Sequence, residues 1–183
     1  MRTTIQGRTL EICQGNIVER AVDAIVNAAN SALAGGGGVD GAIHRQGGPE
    51  IMAETRRRYP HGCPTGSAVI SGAGHLAAKY VIHAVGPVWR GGQQGEAELL
   101  ASAYRHAFEL AVEHGCASIA LPALSTGAYG YPMDLASRIA LRSARDFLAA
   151  PSTLTRMEFV LFGPANYGAF AAALEEMMGG ESA

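Results

Sequence analysis

Asn27-Ala28-Ala29-Asn30-Ser31-Ala32-Leu33-Ala34-Gly35-Gly36-Gly37-Gly38-Val39-Asp40-Gly41-Ala42-Ile43-His44 combines two asparagines, four glycines in a row and an Asp/His pair within eighteen residues. It follows a short apolar run at residues 23–26 and leads into a stretch of helical character at 39–46. Polar side chains and four consecutive glycines therefore gather where a strand gives way to a helix, the place at which an α/β sheet presents its ligand-binding edge. Glycines leave backbone N–H groups uncovered by any Cβ, and the first turn of a helix adds N–H groups with no internal acceptor. The junction is suited to an anionic phosphate.

Working outward, strand-like runs occur at 3–6, 9–13, 24–27, 68–71, 80–85, 118–122 and 157–162. Helical patterns lie between them. Leu99, Leu100, Ala103, Ala107, Leu110 and Ala111 recur at helical spacing within 96–114. A second helix is predicted over 132–149, with Leu135, Ile139, Ala140, Ser143 and Phe147 on one face and Pro132 in the first turn. A third spans 167–178 and stops before Gly179-Gly180. Alternating strands and helices predict a sheet covered on both faces, with the apolar runs 81–85 and 119–121 as buried strands. Only Gly7-Arg8 separates the first two runs, which predicts a hairpin and hence a mixed sheet. The expected fold is α/β, a three-layer α/β/α sandwich with a mixed central sheet.

The 183 residues suit a single domain, 1–183, and 48% hydrophobic against 16% charged residues suits a packed core. Glycine stands out: 24 of 183 residues, about 13% against an average near 7%, and mostly in loops, which points to backbone contact with a ligand. A formal charge of −2 gives no electrostatic footprint for nucleic acid. Arg56-Arg57-Arg58 reads either as a solvated last helical turn or as a phosphate patch. Three scattered cysteines, Cys13, Cys63 and Cys116, suggest free thiols in a reducing compartment. The opening residues carry no charged-then-apolar leader, and no run nears the roughly 18 apolar residues of a membrane span. A cytoplasmic location is expected, with no membrane partner. His61 and Cys63 have no identifiable companions for zinc, so no metal and no cofactor are expected.

Gly36, Gly38 and Gly41 formally have dinucleotide spacing, but the first glycine stands well beyond the strand and no acid for a ribose follows. The Lys-Ser/Thr ending of an ATPase phosphate loop is also missing. A second glycine-bearing junction, Pro122-Ala123-Leu124-Ser125-Thr126-Gly127-Ala128-Tyr129-Gly130-Tyr131-Pro132, again runs from strand to helix. Two such loops at one sheet edge suit a diphosphate, or are a pair of ordinary β–α turns. Tyr129 packs either on a sugar or on the core, and Trp89 reads as a core or rim residue. Asp40 and His44 share a helix face at i, i+4, and the helix dipole favours an ionised Asp40. Beside Asn30 and the glycine run, that pair reads as catalytic.

Together, Gly15-Asn16-Ile17, residues 23–30, 35–44, Gly62-Cys63-Pro64-Thr65-Gly66, residues 81–87 and residues 125–132 resemble a macrodomain of the MacroD type, over roughly residues 8 to 165. The resemblance implies ADP-ribose binding, removal of single ADP-ribose groups from aspartate or glutamate side chains of proteins, and deacetylation of O-acetyl-ADP-ribose. It implies that Asn30 orients the distal ribose, with Asn27 in the same motif, and that Gly35, Gly36, Gly37, Gly38 and Val39 hold the diphosphate with Ser125, Thr126, Gly127, Ala128 and Tyr129. Tyr129 would also pack on the distal ribose, with Asp40 and His44 beside the anomeric carbon. Asn16 and Ile17 would meet the adenine, on which Phe162 and Tyr167 would stack. Asn16 departs from the family's usual Asp: an amide oxygen still accepts from the adenine amino group, without charge assistance.

A carboxylate is a good leaving group, with a conjugate acid of pKa about 4, so a positioned water matters more than a general acid. Either Asp40 or the substrate phosphate would activate that water. The rival functions are an ADP-ribose reader without catalysis, an ADP-ribose 1″-phosphate phosphatase and an RNA-binding domain. Few exposed aromatics and the negative charge disfavour the last, leaving ADP-ribosylated ends as the only nucleic acid expected. The expected partners are ADP-ribose and mono-ADP-ribosylated proteins, met by a monomer.

Overall fold

Gln6 and Gly7 both adopt positive φ, 48° and 80°, and this two-residue turn folds the first strands onto each other as a hairpin. In the computed structural model, which describes residues 1–180, β1 (Arg2–Ile5) and β2 (Arg8–Gln14) are followed by a one-turn 3-10 helix (Ile17–Glu19), β3 (Ala24–Ala28), α1 (Gly38–Gly47) and α2 (Glu50–Arg58). Then come β4 (Ala68–Gly72), β5 (Tyr80–Ala84), α3 (Glu96–Glu113), β6 (Ser118–Leu121), α4 (Met133–Leu148), β7 (Arg156–Leu161) and α5 (Pro164–Gly179). The expected domain limit includes 181–183, which lie outside the described residues.

All seven expected strands are present. The last helix begins earlier than expected, at Pro164, because Gly163 with φ 89° makes the turn and proline tolerates the first helical position. Arg56-Arg57-Arg58 closes α2 as a solvated turn, and Arg58 pairs with Glu54 one turn back at 2.8 Å. The 3-10 helix has no counterpart in the periodicity; Asn16 caps it by accepting from the Val18 N–H at 3.3 Å.

The strands form one sheet in the order β1-β2-β7-β6-β3-β5-β4. β2, β7, β6, β3 and β5 run parallel, and the edge strands β1 and β4 are antiparallel, so the sheet is mixed as expected. Period-2 alternation feeds two cores. Ala24, Val26, Ile82, Ile119, Leu121, Met157 and Phe159 pack with α3, α4 and α5, while Ile25, Val81, Ala120 and Val160 pack under α1 and α2. Glu158 points to the second face and is 1% exposed; the Arg20 guanidinium grips both of its oxygens at 2.8 Å. Five parallel strands thus deliver their C-terminal ends, and the loops that follow them, to one edge.

Candidate functional site

A cleft of about 790 Å³ opens at that edge. Its wall takes Asn16 and Ile17 after β2, Asn30 and the glycine loop after β3, Gly86 after β5, the 125–129 loop after β6 and Phe162 after β7.

The first loop is built around Asn30. Its Nδ2 donates to the Gly35 carbonyl at 2.8 Å and its Oδ1 accepts from the Ala34 N–H at 3.0 Å, which folds the loop and leaves one N–H and one lone pair for a ligand. Gly37 caps α1 without a side-chain bond, so the N–H groups of Gly38, Val39 and Asp40 have neither an intrahelical acceptor nor a cap. Gly41 lets the loop lie on the helix: a Cβ there would stand 2.7 Å from the Gly36 carbonyl oxygen.

Asp40 is 6% exposed. Its Oδ1 accepts from Asn27 Nδ2 at 2.8 Å and lies 3.2 Å from His44 Nε2. Its Oδ2 has no partner among the described residues and lies 3.5 Å from where a Gly36 Cβ would be, on the side of the glycine loop. Asn27 sits behind this carboxylate with no exposed surface, and its Nδ2 also meets His83 Nδ1 at 3.1 Å. Burial, and secondarily the nearby His44, push the His83 imidazole down to a pKa of about 3, so the ring is neutral.

The second loop hangs from α3. The buried Tyr104 hydroxyl donates to the Pro122 carbonyl and accepts from the Leu124 N–H, both at 2.9 Å, and burial raises its pKa. Ser125 adopts φ 68°, a conformation that costs a non-glycine residue about 1–3 kcal/mol. Its Oγ is buried without a hydrogen-bond partner and occupies the space that a Cβ on Gly86 would need. The hydroxyl therefore packs on the Gly86 backbone, and Gly86, with no Cβ, is what admits it. Tyr129 is half-buried, and its carbonyl accepts from the Trp89 N–H at 2.8 Å. The Trp89 ring packs on Tyr131, 4.7 Å between centroids, at the rim of the fold.

At the far end Phe162 is 81% exposed, an unusual position for a phenyl ring. Asn166, one turn later, donates to the Phe162 carbonyl at 2.9 Å and joins the wall.

Asn16, Ile17, Asn30, Gly36, Gly37, Gly38, Val39, Asp40, Ser125, Thr126, Gly127, Ala128, Tyr129 and Phe162 are thus brought to one cleft. Asn27, Gly35, His44 and Tyr167 are not in its wall. Asn27 and His44 stand behind Asp40, and Gly35 turns the loop at φ 80°. Tyr167 packs against the α3–α5 core and its hydroxyl accepts from the Met1 ammonium at 3.3 Å, so of the two expected stacking rings only Phe162 stands in the wall. Arg45, Asn166 and Met133 also line the cleft and were not anticipated. Arg45 and Asp40 are the two charged residues of the wall, and only the turn of α1 brings the former there. Among the described residues no three His, Cys, Asp or Glu side chains are grouped to hold a metal ion, and no helix is long and apolar enough to cross a membrane.

Comparison with known proteins agrees with this architecture. The Macro domain family model matches residues 26–140. A macro domain-containing protein of Caldanaerobacter subterraneus is 55% identical over 170 residues, covering 92% of this chain and 97% of the relative. An O-acetyl-ADP-ribose deacetylase of Citrobacter rodentium is 50% identical over 155 residues, covering 84% of this chain and 88% of the relative. Among solved structures, the Oceanobacillus iheyensis macrodomain with ADP superimposes with a TM-score of 0.92 at 39% identity, covering 97% of this chain and 96% of that one. By sequence and by fold alike, the chain belongs to the macrodomain family.

Proposed function

We propose that residues 1–183 form one ADP-ribose-binding domain that hydrolyses carboxylate esters on the distal ribose. The substrates are O-acetyl-ADP-ribose and, in the MacroD manner, mono-ADP-ribose carried on aspartate or glutamate of proteins. One observation carries the reading: the buried Asp40 carboxylate uses Oδ1 for Asn27 and His44 and keeps Oδ2 free on the side of the glycine loop. A carboxylate so held can orient and deprotonate a water, which is the help that an ester with a good leaving group needs.

The remaining wall supports the same occupant. Uncapped N–H groups at the start of α1, faced across the cleft by the 125–129 loop, suit the diphosphate. Asn30, with one donor and one acceptor left, suits the ribose hydroxyls. Phe162 offers an adenine platform and Asn16 a polar contact at its edge. Similarity to relatives named as O-acetyl-ADP-ribose deacetylases supports the acetyl ester as a substrate.

The test is release of acetate from O-acetyl-ADP-ribose and of free ADP-ribose from a glutamate-modified protein, with wild type and Asp40→Ala side by side. Wild type is expected to turn over both. Asp40→Ala should lose at least about a hundredfold in kcat, the scale of a lost general base, while ADP-ribose affinity changes only a few-fold. Binding without turnover by wild type would leave a reader, and release of inorganic phosphate from ADP-ribose 1″-phosphate would mark a phosphatase. Rapid cleavage of an arginine-linked ADP-ribose would overturn the ester specificity, because a guanidine is a far poorer leaving group than a carboxylate.

A further inference from the structure

We propose that His83 is a positioning residue: with Ser71 and Asn27 it forms a buried hydrogen-bonded relay across three strands that holds the Asp40 carboxylate in its working orientation. The inference rests on the reading of Asp40 as the group that orients the water.

The direction of every proton in this relay follows from chemistry. A carboxylate only accepts, so the Asn27 amide must turn its NH2 toward Asp40 Oδ1, 2.8 Å away. The same nitrogen lies 3.1 Å from His83 Nδ1, which must therefore accept its second hydrogen. A neutral ring that accepts at Nδ1 carries its proton on Nε2, and this donates to Ser71 Oγ at 2.8 Å. Ser71 in turn donates to the Gly72 carbonyl at 2.9 Å. Asn27 and His83 are register partners in β3 and β5, and Ser71 lies on β4 beyond them, so the chain runs from the sheet edge to the cleft.

Two features make this more than a satisfied polar cluster. Asn27 Oδ1 is buried and meets no donor, so the orientation of that amide depends on its two acceptors alone. If His83 could not accept, the amide would be held by the Asp40 bond alone, its second hydrogen would be buried without a partner, and its plane would no longer be fixed behind the carboxylate. Ser71, His83 and Asn27 are 1%, 2% and 0% exposed, so water does not substitute for a lost partner. The groups facing the ring are His44 on α1, whose ring centroid is 6.2 Å away, and Glu54 on α2. Burial keeps the ring neutral at neutral pH, and its two partners, Asn27 and Ser71, then set which nitrogen carries the proton.

Asparagine and glutamine at position 83 separate the two ring nitrogens. An asparagine oxygen falls near the place of Nδ1 and can accept from Asn27, whereas a glutamine amide reaches toward the place of Nε2 and meets Ser71. His83→Gln should lower kcat on O-acetyl-ADP-ribose by about tenfold or more, the low end of what outer partners of a working group cost, with ADP-ribose Kd within about twofold. His83→Asn should recover most of that loss. Ser71→Ala, a smaller change that serves if His83→Gln does not fold, should lower kcat by a few-fold without weakening binding. In wild type, ring ¹⁵N shifts should show an unprotonated Nδ1 and a protonated Nε2 from about pH 5 to about pH 8. Slow exchange of the Asn27 side-chain NH2 should persist in His83→Asn and vanish in His83→Gln.

A proton on Nδ1, equal turnover by the glutamine and asparagine variants, or parallel losses of kcat and affinity would overturn the relay. Wild type without turnover would instead overturn the proposed function, and the two NMR readouts would still decide whether the relay exists.

Discussion

At the scale of single residues, Asn16 uses one amide twice. Its oxygen already caps the 3-10 helix by accepting from Val18, and the same side chain stands in the cleft wall, at the end we propose for adenine. Aspartate caps a helix as well as asparagine does, so Asn16→Asp should leave stability unchanged while giving the adenine amino group a charged acceptor. A gain of about threefold to tenfold in ADP-ribose affinity by calorimetry is expected; no gain would mean that this side chain does not meet the base. Phe162→Ala tests the opposite case. The ring is 81% exposed, so removing it should shift stability by less than about 0.5 kcal/mol. Base stacking is worth about 1–3 kcal/mol, so ADP-ribose affinity should fall about tenfold, and an unchanged Kd would place the adenine elsewhere.

The cleft loop after β3 was readable in the sequence because it left a local mark: glycines in a row, Asn30 beside them, and Asp40 and His44 one helical turn apart. His83 and Ser71 left none, since each sits in a strand among apolar neighbours and acquires its role only when β3, β5 and β4 lie side by side. Arg45 escaped for a related reason, being one polar residue among several on a short helix.

At the scale of elements, the loop between β5 and α3 hangs from one side chain. Glu96 is 1% exposed and accepts from the N–H groups of Arg90, Gly92 and Gln94 at 3.0, 2.7 and 2.6 Å. Burial by itself would raise its pKa, but these backbone donors more than reverse that and leave the carboxyl below its ordinary value. A carboxyl depressed in the folded state binds its proton more readily when unfolded, so its contribution is whole above its ordinary value of 4.5 and is lost as pH falls through the folded value. Glu96→Gln should therefore lower the protection of the amides at 90, 92 and 94 near neutral pH, and wild type should lose the same protection, relative to intrinsic exchange rates, in acid. Equal protection in both proteins would show that Trp89 and Tyr131, not Glu96, hold the loop. Nothing local foretold this: Glu96 opens a helix, where an acidic residue is ordinary, and its partners come from a glycine-rich turn that reads as plain surface.

At the scale of the whole molecule, Asp23 gathers the starts of three parallel strands. Its Oδ2 accepts from Ala117 and Ser118 at 2.7 and 3.2 Å, just before and at the start of β6, and Lys79, just before β5, stands 3.4 Å from Oδ1. The Ala117 N–H is the main cause of its lowered pKa; partial burial opposes the shift, and Ser118 and Lys79 add to it. Asp23→Ala should cost about 1–3 kcal/mol, read as a lower Tm near neutral pH. The gap between variant and wild type should close as pH falls below the ordinary value of 3.8, because wild type then loses the same contacts. A gap that persists in acid would mean that packing, not the charge, is lost.

The layers and the mixed sheet could be read from alternating apolar runs and the Gly7 turn, but the strand order could not. The last strand, β7, is inserted between β2 and β6, and no local pattern encodes a pairing between chain segments so far apart. α2 was legible only through its arginines, because Ile51 and Thr55 are its only buried residues and make a thin apolar stripe.

That insertion also sets a birth order for the site. β2 pairs only with β1 and β7, so while the chain is being synthesised the opening hairpin has no neighbour to join until β7 has left the ribosome. A lone hairpin is marginal in water. The nascent protein therefore carries its two glycine loops for a time before Phe162 and the paired end of β2 are in place beside them, and that wall of the cleft is completed last.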